Sequence, residues 1–269
     1  MSESVADPAH AGAVADSDVI DSSMLLSLRG ITKHFGAVQA LRNVDLDVPA
    51  GQVTALVGDN GAGKSTLIKA IAGINEPSSG TMYWQGEKMN VHTPKEAALL
   101  GIATVYQDLA LCDNLDIVAN MYLGFEATKH EILDEITMEK HTQQTLKDLS
   151  VTTVHSVRQL VATLSGGQRQ SIAVARAVMR DAKLVIMDEP TAALGLRQTE
   201  ATARLIKQVA AQSVAVILIS HSLEQVFSLA DRIISLRLGE VTLDASAKQT
   251  TPDEVRALMS GQRRKGERR

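Results

Sequence analysis

Several things are scarce in this chain of 269 residues. It has one cysteine, Cys112, so no internal disulfide can form, and this suits a reducing compartment. It has no uninterrupted apolar run of about 18 residues, so no stretch reads as a membrane span. The longest apolar run, Val214 to Ile219, has the length of a buried strand. A basic excess is absent: the formal net charge is −4, which argues against nucleic acid as the main partner. The N-terminus is acidic and lacks the basic-then-apolar pattern of a secretory signal. Aromatic residues make up only 3%, so an aromatic placed near a ligand carries weight. What remains is ordinary for a globular protein, 45% hydrophobic and 22% charged, and long enough for one large domain with a sizeable insertion.

The chain is organised around Gly58-Asp59-Asn60-Gly61-Ala62-Gly63-Lys64-Ser65-Thr66, which fits G-x-x-x-x-G-K-[ST], the phosphate-binding loop. An apolar run from Val53 to Val57 leads in, and a helical run from Leu67 to Ile71 leads out. Glycines let backbone N–H groups turn inward, and a helix aims its positive end at the same point. Lys64 is placed to reach the β- and γ-phosphates of a nucleotide, and the Ser65 hydroxyl to hold Mg2+.

Residues 1–23 are rich in Ala, Ser and Asp and read as a disordered acidic tail. Residues 259–269 form a basic tail, read as solvated in preference to contact with anionic lipid. From Leu25 to Val48 a period-two pattern predicts short antiparallel strands. Thr81 to Trp84 followed by Gln85-Gly86 reads as a hairpin. Thr93-Pro94-Lys95-Glu96 opens a helix with a capping box and Pro at the first position, and Gly101 closes it. Ile102 to Tyr106 is a strand ending at Gln107. Strand patterning then disappears, and residues 108–164 read as a helical insertion with helices near Asn114–Leu123, Ile132–Leu149 and Val157–Leu160. Alternation returns with strands at Leu184–Asp188, Val214–Ser220 and, last, Ile233–Leu238, and helices at Gln198–Ala211 and Leu223–Leu229. Such alternation implies an α/β fold with a mostly parallel core sheet.

Two further stretches carry chemistry. Leu184 to Met187 is an apolar strand that delivers Asp188 and Glu189 at its C-terminal end, where open α/β sheets bind ligands. Asp188 suits the Mg2+ shell, and Glu189 can polarise an attacking water. Leu164-Ser165-Gly166-Gly167-Gln168 opens a helix, offering N–H groups and a hydroxyl as a second anion-binding surface. One chain cannot easily direct both helix starts at one nucleotide.

With these motifs in this order, the sequence resembles the ATP-binding cassette (ABC) ATPases from Leu25 to about Arg256. Gly58 to Thr66 matches the family's phosphate loop, Gln107 its Q-loop, Leu164 to Gln168 its signature motif, Leu184 to Asp188 its Mg2+-binding strand, Glu189 its catalytic carboxylate and His221 its switch histidine. Phe35 stands where the family places an aromatic that stacks on adenine. Singly, a Gln or His after a strand is a loop residue and a Phe is core; their joint spacing carries the resemblance.

The resemblance implies an ABC-type ATPase domain at 24–258, with an N-terminal antiparallel β subdomain and the helical insertion facing a membrane subunit. It implies ATP and Mg2+ as cofactors, the ion held by Ser65, Gln107 and Asp188. It implies a head-to-tail dimer in which Ser165, Gly166, Gly167 and Gln168 of one copy face the ATP of the other. Further partners are permease subunits and a separate solute-binding protein, with no nucleic acid, and the location is the cytoplasmic face of the cell membrane. Thr93 to Ala97 with Gly101-Ile102, Val105 to Leu111, Asn120 to Gly124 and Glu189 to Gly195 look most like monosaccharide importers of the ribose, xylose and fructose type. Most of those fuse two cassettes. One cassette here implies a homodimer with two equivalent sites. The alternatives are an importer of another small solute, such as branched-chain amino acids, and a non-transport ABC ATPase. The repair and chromosome types need a long coiled coil, and no sustained heptads occur here. One departure stands out: Gly195 occupies the place of the family's usual D-loop Asp, which bears on how the two sites are coupled and leaves the catalytic groups in place.

Overall fold

The computed structural model describes residues 23–192 and 194–261. The acidic tail lies outside them except for Ser23, and so does the basic tail beyond Gly261.

The strand runs VTALV, LVIMD and AVILI are buried almost throughout, as expected of strands covered on both faces. They form β3 (Val53–Val57), β9 (Leu184–Asp188) and β10 (Ala215–Ile219) at the centre of a six-stranded sheet. With β6 (Ile102–Val105), β11 (Arg232–Arg237) and β12 (Glu240–Ser246), the order is β12-β11-β3-β10-β9-β6. All neighbours are parallel except β11 and β12. A second, antiparallel sheet has the order β2-β1-β4-β5, from β1 (Met24–Phe35), β2 (Val38–Pro49), β4 (Ser79–Trp84) and β5 (Glu87–Met89).

Alternation along the central strands sorts the core into two faces. Leu56, Ile186, Ile217 and Ile219 pack with the antiparallel sheet (Leu26, Leu28, Val44) and with α1 (Lys64–Ile71). Val53, Val185, Met187, Val216 and Leu218 face the other way. There they meet α3 (Ile117–Tyr122), α4 (Glu135–Asp148), α5 (Gly166–Met179) and α6 (Leu196–Ala211). On that same side Ala55, Val57 and Ile233 are covered by Val226 of α7 (Leu223–Leu229) and Val255 of α8 (Pro252–Met259). The helices that begin at the phosphate loop and at Ser165 therefore lie on opposite faces of one sheet.

Most sequence expectations hold in type and place. The expected helix at Thr93 is α2 (Pro94–Leu99): the Thr93 hydroxyl accepts from the Glu96 N–H at 3.3 Å, and the Glu96 carboxylate accepts from the His92 N–H at 2.8 Å. Four expectations are corrected. The first strands are not short; β1 and β2 run 12 residues each because the hairpin pairs along its whole length. Ile132-Leu133 is not the start of a helix but β8, paired with β7 (Thr128–Lys129); α4 starts at Glu135, where Asp134 accepts from the Thr137 N–H. Val157–Leu160 is not helical. Its carbonyls serve the first turn of α3, the Ile117 and Val118 N–H groups donating to Gln159 and Val157. Ile233–Leu238 is not the last element: β12 returns along β11 as an edge strand, and α8 follows, capped by Thr251 with Pro252 at its first position.

Asn120, fully buried in α3, ties down the stretch that leads from the core sheet into the insertion. Its side-chain oxygen accepts from the Cys112 N–H at 2.7 Å, and its amide donates to the Cys112 and Asp116 carbonyls at 2.9 and 3.0 Å. Asn120→Ala strands these backbone groups away from water. It is expected to lower unfolding stability by about 2–4 kcal/mol, read as a drop in urea midpoint; a midpoint equal to that of the parent would refute this role.

Candidate nucleotide site

The loop after β3 is shaped by close approach. A Cβ at Gly58 (φ 151°) would sit 2.3 Å from the Leu236 carbonyl oxygen, and one at Gly63 (φ 109°) 2.8 Å from that of Ala40. Only glycine lets the loop lie this near β11 and β2 while its N–H groups turn inward. Asp59, Asn60, Gly61 and Ser65 are exposed, Ala62 is buried in the core, and Thr66 is half-buried at the first turn of α1. Lys64 folds over the loop, its ammonium donating to the Gly58 and Asp59 carbonyls at 2.5 and 3.0 Å.

Strand register brings the remaining groups to the same edge. Leu56 pairs with Ile219, Ile219 with Asp188, and Met187 with Val105. Just beyond the level of Leu56, Ile219 and Asp188 lie Gly58 and His221, two residues on, and Glu189 and Gln107, one residue on, in the order Gly58, His221, Glu189, Gln107 across β3, β10, β9 and β6. Glu189 and His221 meet directly, Oε2 to Nδ1 at 2.9 Å, with the histidine 77% exposed on its outer side. Glu189 holds a left-handed backbone (φ 51°), and its N–H donates to the Ile219 carbonyl at 3.0 Å. Gln107 is exposed.

The charges at this edge are under strain. Burial pushes the Asp188 carboxyl above the usual carboxylate range, Glu189 adds to the shift, and Lys64 and Lys69 oppose it. Burial pushes the Lys64 ammonium below its usual value, against the pull of Glu189, Asp59 and Asp188. Among the described residues no cluster of three His, Cys, Asp or Glu side chains could hold a metal alone. The donors on hand are oxygens, the Ser65 hydroxyl, the Asp188 carboxylate and the Gln107 side-chain carbonyl. That set fits a hard cation such as Mg2+, which takes one or two protein ligands and completes its shell with phosphate and water.

Phe35 ends β1, 48% exposed, with the Lys33 ammonium 5.2 Å from its ring centre. The Ser165 motif is not part of this cluster. Ser165 caps α5 in a reciprocal box: its N–H donates to Gln168 Oε1 at 2.8 Å and its hydroxyl accepts from the Gln168 N–H at 3.4 Å. The Gln168 amide also donates to the Thr153 carbonyl at 2.5 Å. Gly166 and Gly167 abut Leu194 and Gln198, with a Cβ on Gly167 meeting Gln198 at 3.0 Å. Gly195 caps α6 with ordinary extended backbone and open space around it, so its lack of a side chain is not a steric requirement.

The family description "ABC transporter" matches residues 41–192. The fructose import ATP-binding protein FrcA of Rhizobium meliloti is 43% identical over 244 residues, covering 88% of this chain and 94% of that protein. The chain belongs to the ABC transporter family. The xylose/arabinose import ATP-binding protein XylG of Sulfolobus acidocaldarius is 40% identical, with 88% of this chain and 94% of that protein covered. The ribose import ATP-binding protein RbsA of Clostridium tetani is 36% identical over 91% of this chain but only 48% of its own length. Among solved structures, the ADP conformation of MJ1267, an ATP-binding cassette of an ABC transporter, superposes with a TM-score of 0.76 at 25% identity, covering 88% of this chain and 95% of that one. The dimeric ATP-binding cassette MJ0796 with ADP and phosphate gives 0.69 at 25% identity, covering 82% and 98%. The chain is thus an ATPase of the ABC family.

Three features of this ABC cassette escape its motifs. Asn120 reads as one more polar residue in a helical run. Arg176 of α5 donates to the Leu109 and Ala110 carbonyls at 2.9 Å each, pinning the segment after Gln107 to the helix that starts at Ser165. Gln225 sits between two loops of the site, and its spacing carries no signal.

The raised pKa of Asp188 has a definite sign. The folded state holds that proton more tightly than the unfolded chain, so this contribution to stability is present at low pH and is lost as pH rises through the raised value. Asp188→Asn is expected to raise the Tm of the nucleotide-free protein at pH 7 and to flatten that decline. A lower Tm in the variant across this window would refute the strained-charge reading.

Proposed function

We propose that this chain is the ATP-hydrolysing subunit of a membrane importer, with a monosaccharide as cargo, and that it works as a head-to-tail dimer. The observation that carries the reading is the gathering of Lys64, Asp188, Glu189 and His221 at one sheet edge while the Ser165 helix start lies on the opposite face. The naming of fructose, xylose/arabinose and ribose import in similar proteins supports the cargo class. The dimeric MJ0796 structure supports the assembly. Residues 24–258 form the ATPase domain and 108–164 its insertion.

In this reading the triphosphate lies in the loop from Gly58 to Thr66, with Asp59 to Ala62 and Gly63 offering N–H groups and Lys64 its ammonium. Phe35 stacks on the adenine. Ser65, Gln107 and Asp188 would hold Mg2+, which would neutralise phosphate charge. Glu189 accepts the proton of the attacking water as the water oxygen bonds to the γ-phosphorus and the bond from that phosphorus to the β–γ bridging oxygen breaks, releasing ADP and phosphate. His221, oriented through Nδ1 by Glu189, presents its other ring nitrogen to the γ-phosphate. Ser165, Gly166, Gly167 and Gln168 of the second copy close over the same phosphate, completing a donor set that matches the charge of the transition state. ATP drives closure only through its higher affinity for the closed dimer.

The permease meets a cavity of about 630 Å3 between α2, β6 and α5, lined in part by Leu99, Tyr106, Phe125 and Arg176. Leu99 and Phe125 are 79% and 60% exposed, an apolar face suited to a helical segment of a membrane subunit. Arg180 lies 4.0 Å over the Phe125 ring and holds it in place. No helix among the described residues is long and apolar enough to cross a membrane. In this reading the chain is attached through those subunits, at the cytoplasmic face. Sugar selectivity resides in the permease and a separate solute-binding protein.

Two measurements test this. Glu189→Gln is expected to slow hydrolysis by about 100-fold or more and to trap a closed dimer on saturating Mg-ATP, seen by light scattering; a variant that stays monomeric there would sink the sandwich. Leu99→Asp, on an exposed site, is expected to leave Tm unchanged and to abolish co-purification with a co-expressed sugar-importer permease that binds the parent chain. Undiminished co-purification would move the docking surface elsewhere.

A further inference from the structure

The loops that leave β9 and β10 carry Glu189 and His221, and one side chain lies between them. Gln225, in the first turn of α7, is 8% exposed, and its Oε1 accepts from the Thr191 hydroxyl at 2.8 Å and from the Ser220 hydroxyl at 3.1 Å. Thr191 lies two residues past Glu189, and Ser220 directly precedes His221. The bracket has a rigid base. The Ser220 hydroxyl oxygen accepts from the Ser222 N–H at 3.1 Å, and the Ser222 hydroxyl, capping α7, accepts from the Gln225 N–H at 3.4 Å. Val226, the next residue, is fully buried in the cluster that fixes α7 to β3 and β11.

We propose that Gln225 is a positioning residue, bridging the Glu189 and His221 loops so that the carboxylate and the imidazole keep their 2.9 Å contact. The proposal rests on the reading of Glu189 as the base. It also accounts for a cost. The Gln225 Nε2 is buried with no partner, and an unmade buried donor is unfavourable, whereas an apolar side chain there would carry no such penalty. The acceptor end explains why an amide sits at this place. It joins two loops that also meet through the bond from the Glu189 N–H to the Ile219 carbonyl and through the Glu189–His221 pair itself. Glu189 has a left-handed backbone and is only half-buried, so its place depends on how its loop is held. Holding Thr191 restrains that loop, and a misplacement well under 1 Å at a general base is enough to slow proton transfer.

The test is steady-state and single-turnover ATPase kinetics on the full chain. Gln225→Met keeps the side chain's length and removes the acceptor. It is expected to lower kcat about tenfold, equivalent to one lost aligned contact in the transition state, with KM for ATP unchanged. Thr191→Val, which cuts one arm from the loop side, should give a loss of the same kind. Gln225→Glu, which keeps an acceptor oxygen, should restore most of the rate. In a Glu189→Gln background Gln225→Met should add nothing, because the base it positions is gone. A purely structural residue would lower Tm and both rates together and would remain additive with Glu189→Gln. Parental kcat in both Gln225→Met and Thr191→Val, beside the expected loss in Glu189→Gln, would overturn the bracket alone. Parental turnover in Glu189→Gln would overturn the role of the base and the bracket's purpose with it.

Discussion

The close approach of the loop after β3 to two carbonyl oxygens, those of Leu236 and Ala40, governs the rest of the molecule. An anion can be held by backbone N–H groups only where the chain turns them inward, and that turn must be supported from outside. Here β11 and the β1–β2 hairpin press against Gly58 and Gly63 and leave no room for any side chain. The antiparallel sheet is therefore more than a cover for apolar surface. It contributes to the shape of the loop whose phosphate contacts the ATPase reaction needs.

Parallel pairing does the second part of the work. Register brings Gly58, His221, Glu189 and Gln107 within one residue of the same level at the C-terminal edge, so four short loops converge there. What register cannot set is the last ångström. Hydrogen bonds outside the motifs do that: Asn120 steadies the stretch into the insertion, Arg176 pins the segment after Gln107, and the amide of Gln225 lies between the loops of Glu189 and His221.

This division explains what the sequence discloses. The phosphate loop, the Asp188-Glu189 pair and the Ser165 turn are readable because each is local, and glycine or carboxylate spacing survives without knowledge of the fold. The central strands are readable because burial on both faces leaves an uninterrupted apolar run. The insertion is harder. Val157 to Gln159 has the composition of a helix end, but its carbonyls are taken by the N-terminus of α3, a tertiary partner that periodicity does not reveal. Ile132-Leu133 continues a helical pattern on paper yet pairs as a strand before Asp134 caps α4. α8 is of another kind, since Thr251-Pro252-Asp253-Glu254 repeats the capping pattern of Thr93-Pro94-Lys95-Glu96 and is local enough to be legible.

The opposite placement of α1 and α5 gives the dimer its logic. One chain brings together the loop, the carboxylates and the histidine, but its second set of exposed helix-start donors lies across the sheet. A γ-phosphate bound by one copy is thus only half surrounded. The electrostatics point the same way: burial pushes the Asp188 carboxyl up and the Lys64 ammonium down, so the charged form of each comes at some cost to the fold. In the proposed site a triphosphate with its cation would relieve both, supplying negative charge to the lysine and positive charge to the carboxylate. In the proposed dimer a second copy would supply the donors still missing. Binding energy that goes into relieving strained charges and joining two surfaces is available for moving whatever is attached to the insertion. That makes a site which is incomplete and uncomfortable alone well suited to drive a transporter, because it has most to gain on closure.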